Sequence, residues 1–146
     1  MKLKAFILIF FMAANAQAAD FNKVAGSRIS NYQGSSLVDT ARHYMGKTGP
    51  AIGLPNSQWC SDFMNFITGG GTGSRLAESW LANVHISKQI GAVVVLGYRG
   101  YVTHVGLVSG ISQNGDPIVI SGNHNNRVGE GIYPQSMVIA YVVPFP

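Results

Sequence analysis

The chain has almost no cysteine: Cys60 is the only one among 146 residues, so no disulfide can form within it. Charge is also scarce, with 10 Lys and Arg against 6 Asp and Glu. No basic stripe is present that could follow a phosphate backbone, which argues against nucleic acid as a partner. Beyond the extreme N-terminus the carboxylates are Asp39, Asp62, Glu78, Asp116 and Glu130. Most of these read as caps or turns, so the carboxylate pair of a glycosidase is not expected. No His-x-x-x-His or paired-cysteine spacing occurs, and neither a metal nor any other cofactor is expected. The glycine cluster GGGTGS lacks the Gly-Lys-Ser/Thr ending of a phosphate loop and reads as a turn between helices. Internal repeats, low-complexity tracts and domain linkers are also missing.

What is present begins with a leader-like segment. MKLKAFILIFFMAANAQAA combines two lysines, an apolar run over 5–14 and the small-residue pattern Ala16-Gln17-Ala18. That is the layout of a secretory signal peptide spanning 1–18, cut after Ala18 or Ala19. The apolar run falls short of the roughly 20 residues of a spanning helix, so stable membrane insertion is not expected. Removal of Lys2 and Lys4 would leave eight basic against six acidic side chains. The expected product is periplasmic or secreted, with an extended lead-in over 19–35 and one domain over 36–146.

Within that domain the periodicity predicts helices first and strands afterwards. A first helix is expected from Ser36, with Ser36 and Asp39 at capping-box spacing and Leu37, Ala41, Tyr44 and Met45 on one face until Gly46. A second should start near Ser57 or Gln58, carry the apolar stripe Trp59, Phe63, Phe66 and Ile67, and stop at GGGTG. Ser74 is expected to cap a short third helix, RLAESWLAN, with Glu78 near its positive end. AVVVLGY, HVGLVSGI, PIVISGN and MVIAYVVP read as four strands. The expected fold is α+β, with helices on one face of a mainly antiparallel sheet.

A lone thiol in an exported chain is either buried filler, a cross-link to another chain or a reactive group. The predicted start of the second helix favours reactivity, because unpaired backbone N–H groups in a first turn stabilise a thiolate. Asp62 opposes that effect, so a basic partner is needed. His43 reads as an exposed helix residue and His85 as a loop residue, which leaves His104 and His124. Asn114-Gly115 is a two-residue hairpin signal. With that turn, Val108 pairs with Ser121 and His104 faces Asn125, with Asn123 diagonal to it. One sheet face would then carry His104, Gly106, Val108, Ser121 and Asn123, with His124 on the other. Asn123 could accept a hydrogen bond from the His104 ring and orient it towards the thiol.

ARHYMG, WCSDFMNF, GTGSRLAESW, THVGLVSG, SGNHNNRV and IYPQSMV, taken in that order over residues 37–144, resemble the cysteine peptidoglycan hydrolases of the NlpC and CHAP type. The resemblance implies a papain-like fold, with Cys60 as nucleophile, His104 as base and Asn123 as the third polar residue. It implies peptidoglycan stem peptides as substrate, cut at an amide bond by acyl transfer. Two departures stand out: Ile90-Gly91-Ala92 replaces a usual Pro-Gly-Asp, and Ser61-Asp62 follows the cysteine. Tyr98, Arg99 and Tyr101, in the turn before His104, are candidate substrate contacts, with Arg99 meeting a peptide carboxylate. Trp59 and Ser121 complete that set. Candidate partners include an immunity or inhibitor protein. Two rival readings keep the same fold: a non-catalytic envelope-binding protein and a papain-like acyltransferase.

Overall fold

The computed structural model describes residues 31–145. The expected leader over 1–18 and most of the lead-in over 19–35 lie outside the described residues. Helix α1 spans Asn31–His43 and starts ahead of the Ser36 predicted from sequence. Ser36 and Asp39 are therefore interior helix residues and not a capping box; the Ser36 carbonyl accepts a hydrogen bond from Thr40 Oγ1 at 2.9 Å. Tertiary contact explains the longer helix. A Cβ at Gly34 would lie 2.7 Å from the Ile90 carbonyl oxygen, and one at Gly91 only 2.3 Å from Gly34 Cα. Two glycines thus let the first turns of α1 rest against the loop before the sheet. Leu37, Val38 and Ala41 face the core.

Helix α2 spans Cys60–Thr68 and buries Cys60, Ser61, Phe63, Met64 and Ile67. Phe66, expected on the inward stripe, is 42% exposed. Gly69 ends the helix at φ 75°, and the Gly70 N–H reaches back to the Asn65 carbonyl at 2.8 Å, as glycine termination requires. The third predicted helix is a 3-10 helix over Ala77–Ala82 with Leu76 at its cap position. Ser74 lies further upstream, where its hydroxyl accepts the Leu76 N–H at 3.2 Å. Trp80 locks this segment down: its indole donates to Ser61 Oγ at 3.0 Å, and Ser61 Oγ donates to the Ser74 carbonyl at 2.7 Å.

Five strands follow: β1 Val93–Tyr98, β2 Tyr101–Ile111, β3 Pro117–His124, β4 Arg127–Ile132 and β5 Val138–Val142. They form one sheet in the order β4-β3-β2-β1-β5, with every pairing antiparallel. The architecture is α+β, two N-terminal helices packed on a five-stranded antiparallel sheet. β4 is the strand that the sequence reading missed. It is joined to β3 through Asn125 and Asn126, at φ 52° and 61°, the two left-handed residues that a type I′ turn demands.

Helix residues Trp59, Phe63 and Met64 meet Val93, Val95, Val105, Leu107 and Ile120 in one core. The opposite side of the sheet is no surface either, since Val94, Leu96, Val108 and Val119 are fully buried. The 3-10 segment Gln135–Met137 packs against β1 there, with Gln135 N–H bonded to Asp116 Oδ1 at 2.8 Å. Burial on both faces explains why AVVVL is a continuous apolar run and not an alternating one.

The β2–β3 register differs from the predicted one. Ser112 N–H bonds to the Asp116 carbonyl and Gly115 N–H to the Ser112 carbonyl, with Gly115 at φ 83°. The loop therefore has three residues, Gln113-Asn114-Gly115, the left-handed glycine closing a type I turn. Ile111 pairs with Pro117 and, beyond a bulge at Ser109, Val108 pairs with Val119 and Leu107 with Ile120. The expected pairs Val108–Ser121 and His104–Asn125 do not form. Gly106 instead lies against Ser121, where a Cβ would come within 3.0 Å of the serine Cβ.

Candidate active site

Cys60 is the first residue of α2, with Trp59 at the cap position. The closeness of α2 to the sheet there depends on Gly122 in β3, where a Cβ would fall 2.5 Å from Phe63 Cβ and 2.8 Å from the Trp59 ring. Burial pushes the Cys60 thiol up from its ordinary range. Backbone hydrogen bonds from Val105, Ser61 and Cys60 itself act the other way, and Asp62 adds a smaller upward push. The Asp62 charge is not left bare. Arg75 Nε donates to Asp62 Oδ2 at 2.9 Å, and Arg75 Nη2 donates to the Ser57 carbonyl at 3.1 Å.

His104 lies on β2 beside this helix start. Its Nε2 is 2.8 Å from Ser121 Oγ, and its ring stacks on Tyr133 with centroids 5.9 Å apart and planes at 24°. Burial, with the nearby His124 as a second cause, lowers the His104 pKa to about 4. At neutral pH the two groups are therefore a thiol and an uncharged imidazole.

Both side chains open to one cleft of about 430 Å³. One wall is Gln58, Cys60, Arg75 and the segment Leu76–Glu78; the other is Val102, Thr103, His104 and Asn123. Cys60, His104 and Asn123 thus share a cavity, although the strand register expected to bring His104 and Asn123 together does not form. The hydrogen bond that Asn123 was expected to accept from the His104 ring is replaced by one between His104 and Ser121. Asn123 sits at φ 56°, where the β3–β4 pairing shifts between Ser121 and His124; that irregularity takes it out of the regular ladder.

The other expected substrate contacts are placed differently. Trp59 is fully buried, with its indole N–H directed to Asn126 Oδ1 at 3.4 Å; it is a core residue and does not line the cleft. Ser121 is also fully buried and acts on His104, out of reach of a substrate. Tyr98, Arg99 and Tyr101 form the tip of the β1–β2 hairpin, with Arg99 and Gly100 at φ 51° and 81°. Arg99 lies 5.1 Å over the Tyr98 ring, and none of the three lines the cleft. The tight two-residue turn carries them past it.

Five residues at the site escaped the sequence reading in this role. Gln58 lines the cleft from a left-handed φ of 49°, a strained conformation for a non-glycine residue. Arg75 and Glu78 supply the cleft's charged side chains. Tyr133 stacks on His104 and bonds to His124 Nδ1 at 3.1 Å; its only sequence signal was the IYPQS segment. His124, expected on the opposite face, is brought back to this cluster by the kink at Asn123.

Among the described residues no group of three or more His, Cys, Asp and Glu side chains could hold a metal ion, and no helix is long and apolar enough to cross a membrane. No protein-family model matches the chain, and no curated protein matches it significantly.

Proposed function

We propose that the protein is an exported papain-like hydrolase that cleaves amide bonds in the peptide part of peptidoglycan through a cysteine acyl-enzyme. The observation that carries this reading is the shared cleft: the first residue of a helix offers a thiol, and a histidine whose Nε2 is already engaged by Ser121 opens to the same space. A nucleophile, a base and a group orienting the base are the parts that covalent acyl transfer needs.

Because burial holds both groups neutral, the proton moves during attack. His104 takes the Cys60 proton as sulfur bonds to the scissile carbonyl carbon. The tetrahedral oxyanion forms next to the backbone N–H groups at the start of α2. On collapse the C–N bond breaks and His104 gives its proton to the leaving amine. Water then adds to the thioester, His104 takes a proton from it, and the C–S bond breaks to release the carboxylic acid and restore the thiol.

A peptide substrate suits the walls. Arg75 and Asp62 neutralise one another, while Glu78 forms no ion pair among the described residues. The cleft therefore presents an unpaired carboxylate that favours a peptide bearing an ammonium group. The test is mature protein on purified sacculi, with released products identified by mass spectrometry, beside Cys60→Ala. Release of new amine and carboxyl ends by wild type alone supports the reading; equal release by the variant overturns it. Binding without release would favour the envelope-binding alternative, and amine adducts of the released acyl group would favour a transferase.

A further inference from the structure

The groups behind His104 extend beyond Ser121. Burial pushes the Tyr133 phenol up from its ordinary range while hydrogen bonding to the neighbouring Ser121 side chain draws it back down, and the phenol oxygen lies 3.1 Å from His124 Nδ1. His104, Ser121, Tyr133 and His124 are thus linked in series. His124 has a place built for it. A Cβ at Gly129 would fall 2.4 Å from its Cδ2, and one at Gly131 would fall 3.1 Å from its Cε1. These two glycines are two apart on β4, so they share one face of the strand. Side chains there would evict the imidazole.

A series of hydroxyls between two imidazoles has only two fully satisfied proton arrangements, because each hydroxyl donates once and accepts from its other neighbour. In the first, His104 Nε2–H donates to Ser121, Ser121 donates to Tyr133, and Tyr133 donates to His124 Nδ1. His104 Nδ1 then carries a lone pair. In the second every bond is reversed, beginning with His124 Nδ1–H, and His104 carries its proton on Nδ1. Only the first leaves His104 able to take a proton from Cys60.

We propose that Tyr133 and His124 are positioning residues that fix the tautomer of His104 through Ser121, with His124 Nδ1 as the terminal acceptor that keeps His104 Nδ1 unprotonated. The stacked Tyr133 ring also holds the plane of the imidazole, so the chain sets both the orientation and the proton of the base. The significance of that tautomer for catalysis rests on the role proposed for Cys60 and His104; the hydrogen-bond chain itself does not.

The test uses the mature protein with 15N-labelled histidine at neutral pH. Ring-nitrogen shifts report the His104 tautomer, and hydrolysis of sacculi is followed in parallel. Wild type should show His104 protonated on Nε2. Tyr133→Phe keeps the ring stack and removes the link, and should give mixed tautomers, with kcat down tenfold or more and KM unchanged. His124→Phe should do the same, while His124→Asn, which can restore an acceptor near the Nδ1 position, should recover most of the signal and the rate. An Nδ1-protonated His104 in wild type overturns the proposal. So does an unchanged Nε2 tautomer in folded Tyr133→Phe and His124→Phe. If the tautomer shifts as expected but wild type releases nothing from sacculi, the chain stands and the hydrolase reading fails.

Discussion

His104 Nε2 and Ser121 Oγ lie 2.8 Å apart on neighbouring strands, with the serine fully buried. A buried hydroxyl that bonds an imidazole nitrogen selects which ring nitrogen faces the cleft. Ser121→Ala leaves that nitrogen unsatisfied, at about 1–3 kcal/mol. Since 1.36 kcal/mol is tenfold in rate, kcat on stem peptides should fall roughly tenfold to a hundredfold. Asn123→Ala, which removes no bond to His104, should reduce it less. Steady-state kinetics of the two variants side by side separates them.

The uncharged His104 makes stability depend on pH. Its folded pKa of about 4 lies below the ordinary histidine value near 6.5, so the unfolded chain binds a proton first as pH falls. Stability should therefore be unaffected by this group above about pH 6.5, and should drop between about 6.5 and 4 by about 3 kcal/mol in all. Urea unfolding of wild type and His104→Gln across that range checks it: wild-type stability minus that of the variant should fall by about 3 kcal/mol from about pH 6.5 to 4.

The Arg75–Asp62 pair is half exposed on the arginine side, so its loss should change stability by less than about 1 kcal/mol. Its effect on the thiol is more direct. Arg75→Ala leaves an uncompensated carboxylate near Cys60 and should slow alkylation by iodoacetamide several-fold at pH 8. Adding Asp62→Asn to that variant should restore the rate. If alkylation is unchanged in Arg75→Ala, the pair plays no part in thiol reactivity.

Gly122 is where the helix bearing Cys60 meets the sheet bearing His104. Gly122→Ala places a methyl 2.5 Å from Phe63 Cβ and should destabilise by about 1–3 kcal/mol through overpacking. Gly110→Ala, whose nearest neighbour is the end of the Ile118 side chain at 3.3 Å, should be nearly neutral. Thermal melts distinguish the two.

The features legible in the sequence were those written in local chemistry. The helix around Cys60, expected from Ser57 or Gln58 and beginning two or three residues later at Cys60 itself, the glycine stop at Gly69 and the β-branched runs of β1, β2 and β3 all declare themselves within a few residues. The missed features depend on partners far along the chain. Strand β4 reads RVGEGI, and its two glycines make a weak strand signal; they are there to make room for His124. The Asn114-Gly115 pair suggested a two-residue turn, yet Gly115 alone takes the left-handed position, and that one extra loop residue shifted every predicted facing pair. The bulge at Ser109 shifted them again. The predicted grouping of His104 with Ser121 held despite the slips, while the predicted isolation of His124 did not, because Asn123 leaves the ladder just before it.

Burial on both sides of β1, β2 and β3 has a functional corollary. The strands that hold His104 and Ser121 are interior, and the helix bearing Cys60 is wedged against them at Gly122, so these side chains are set in place when the chain folds. Under the proposed hydrolase function, substrate would have little left to assemble, because no frayed edge carries the cleft. Inactivation in denaturant should then coincide with global unfolding, followed by tryptophan fluorescence, and not precede it.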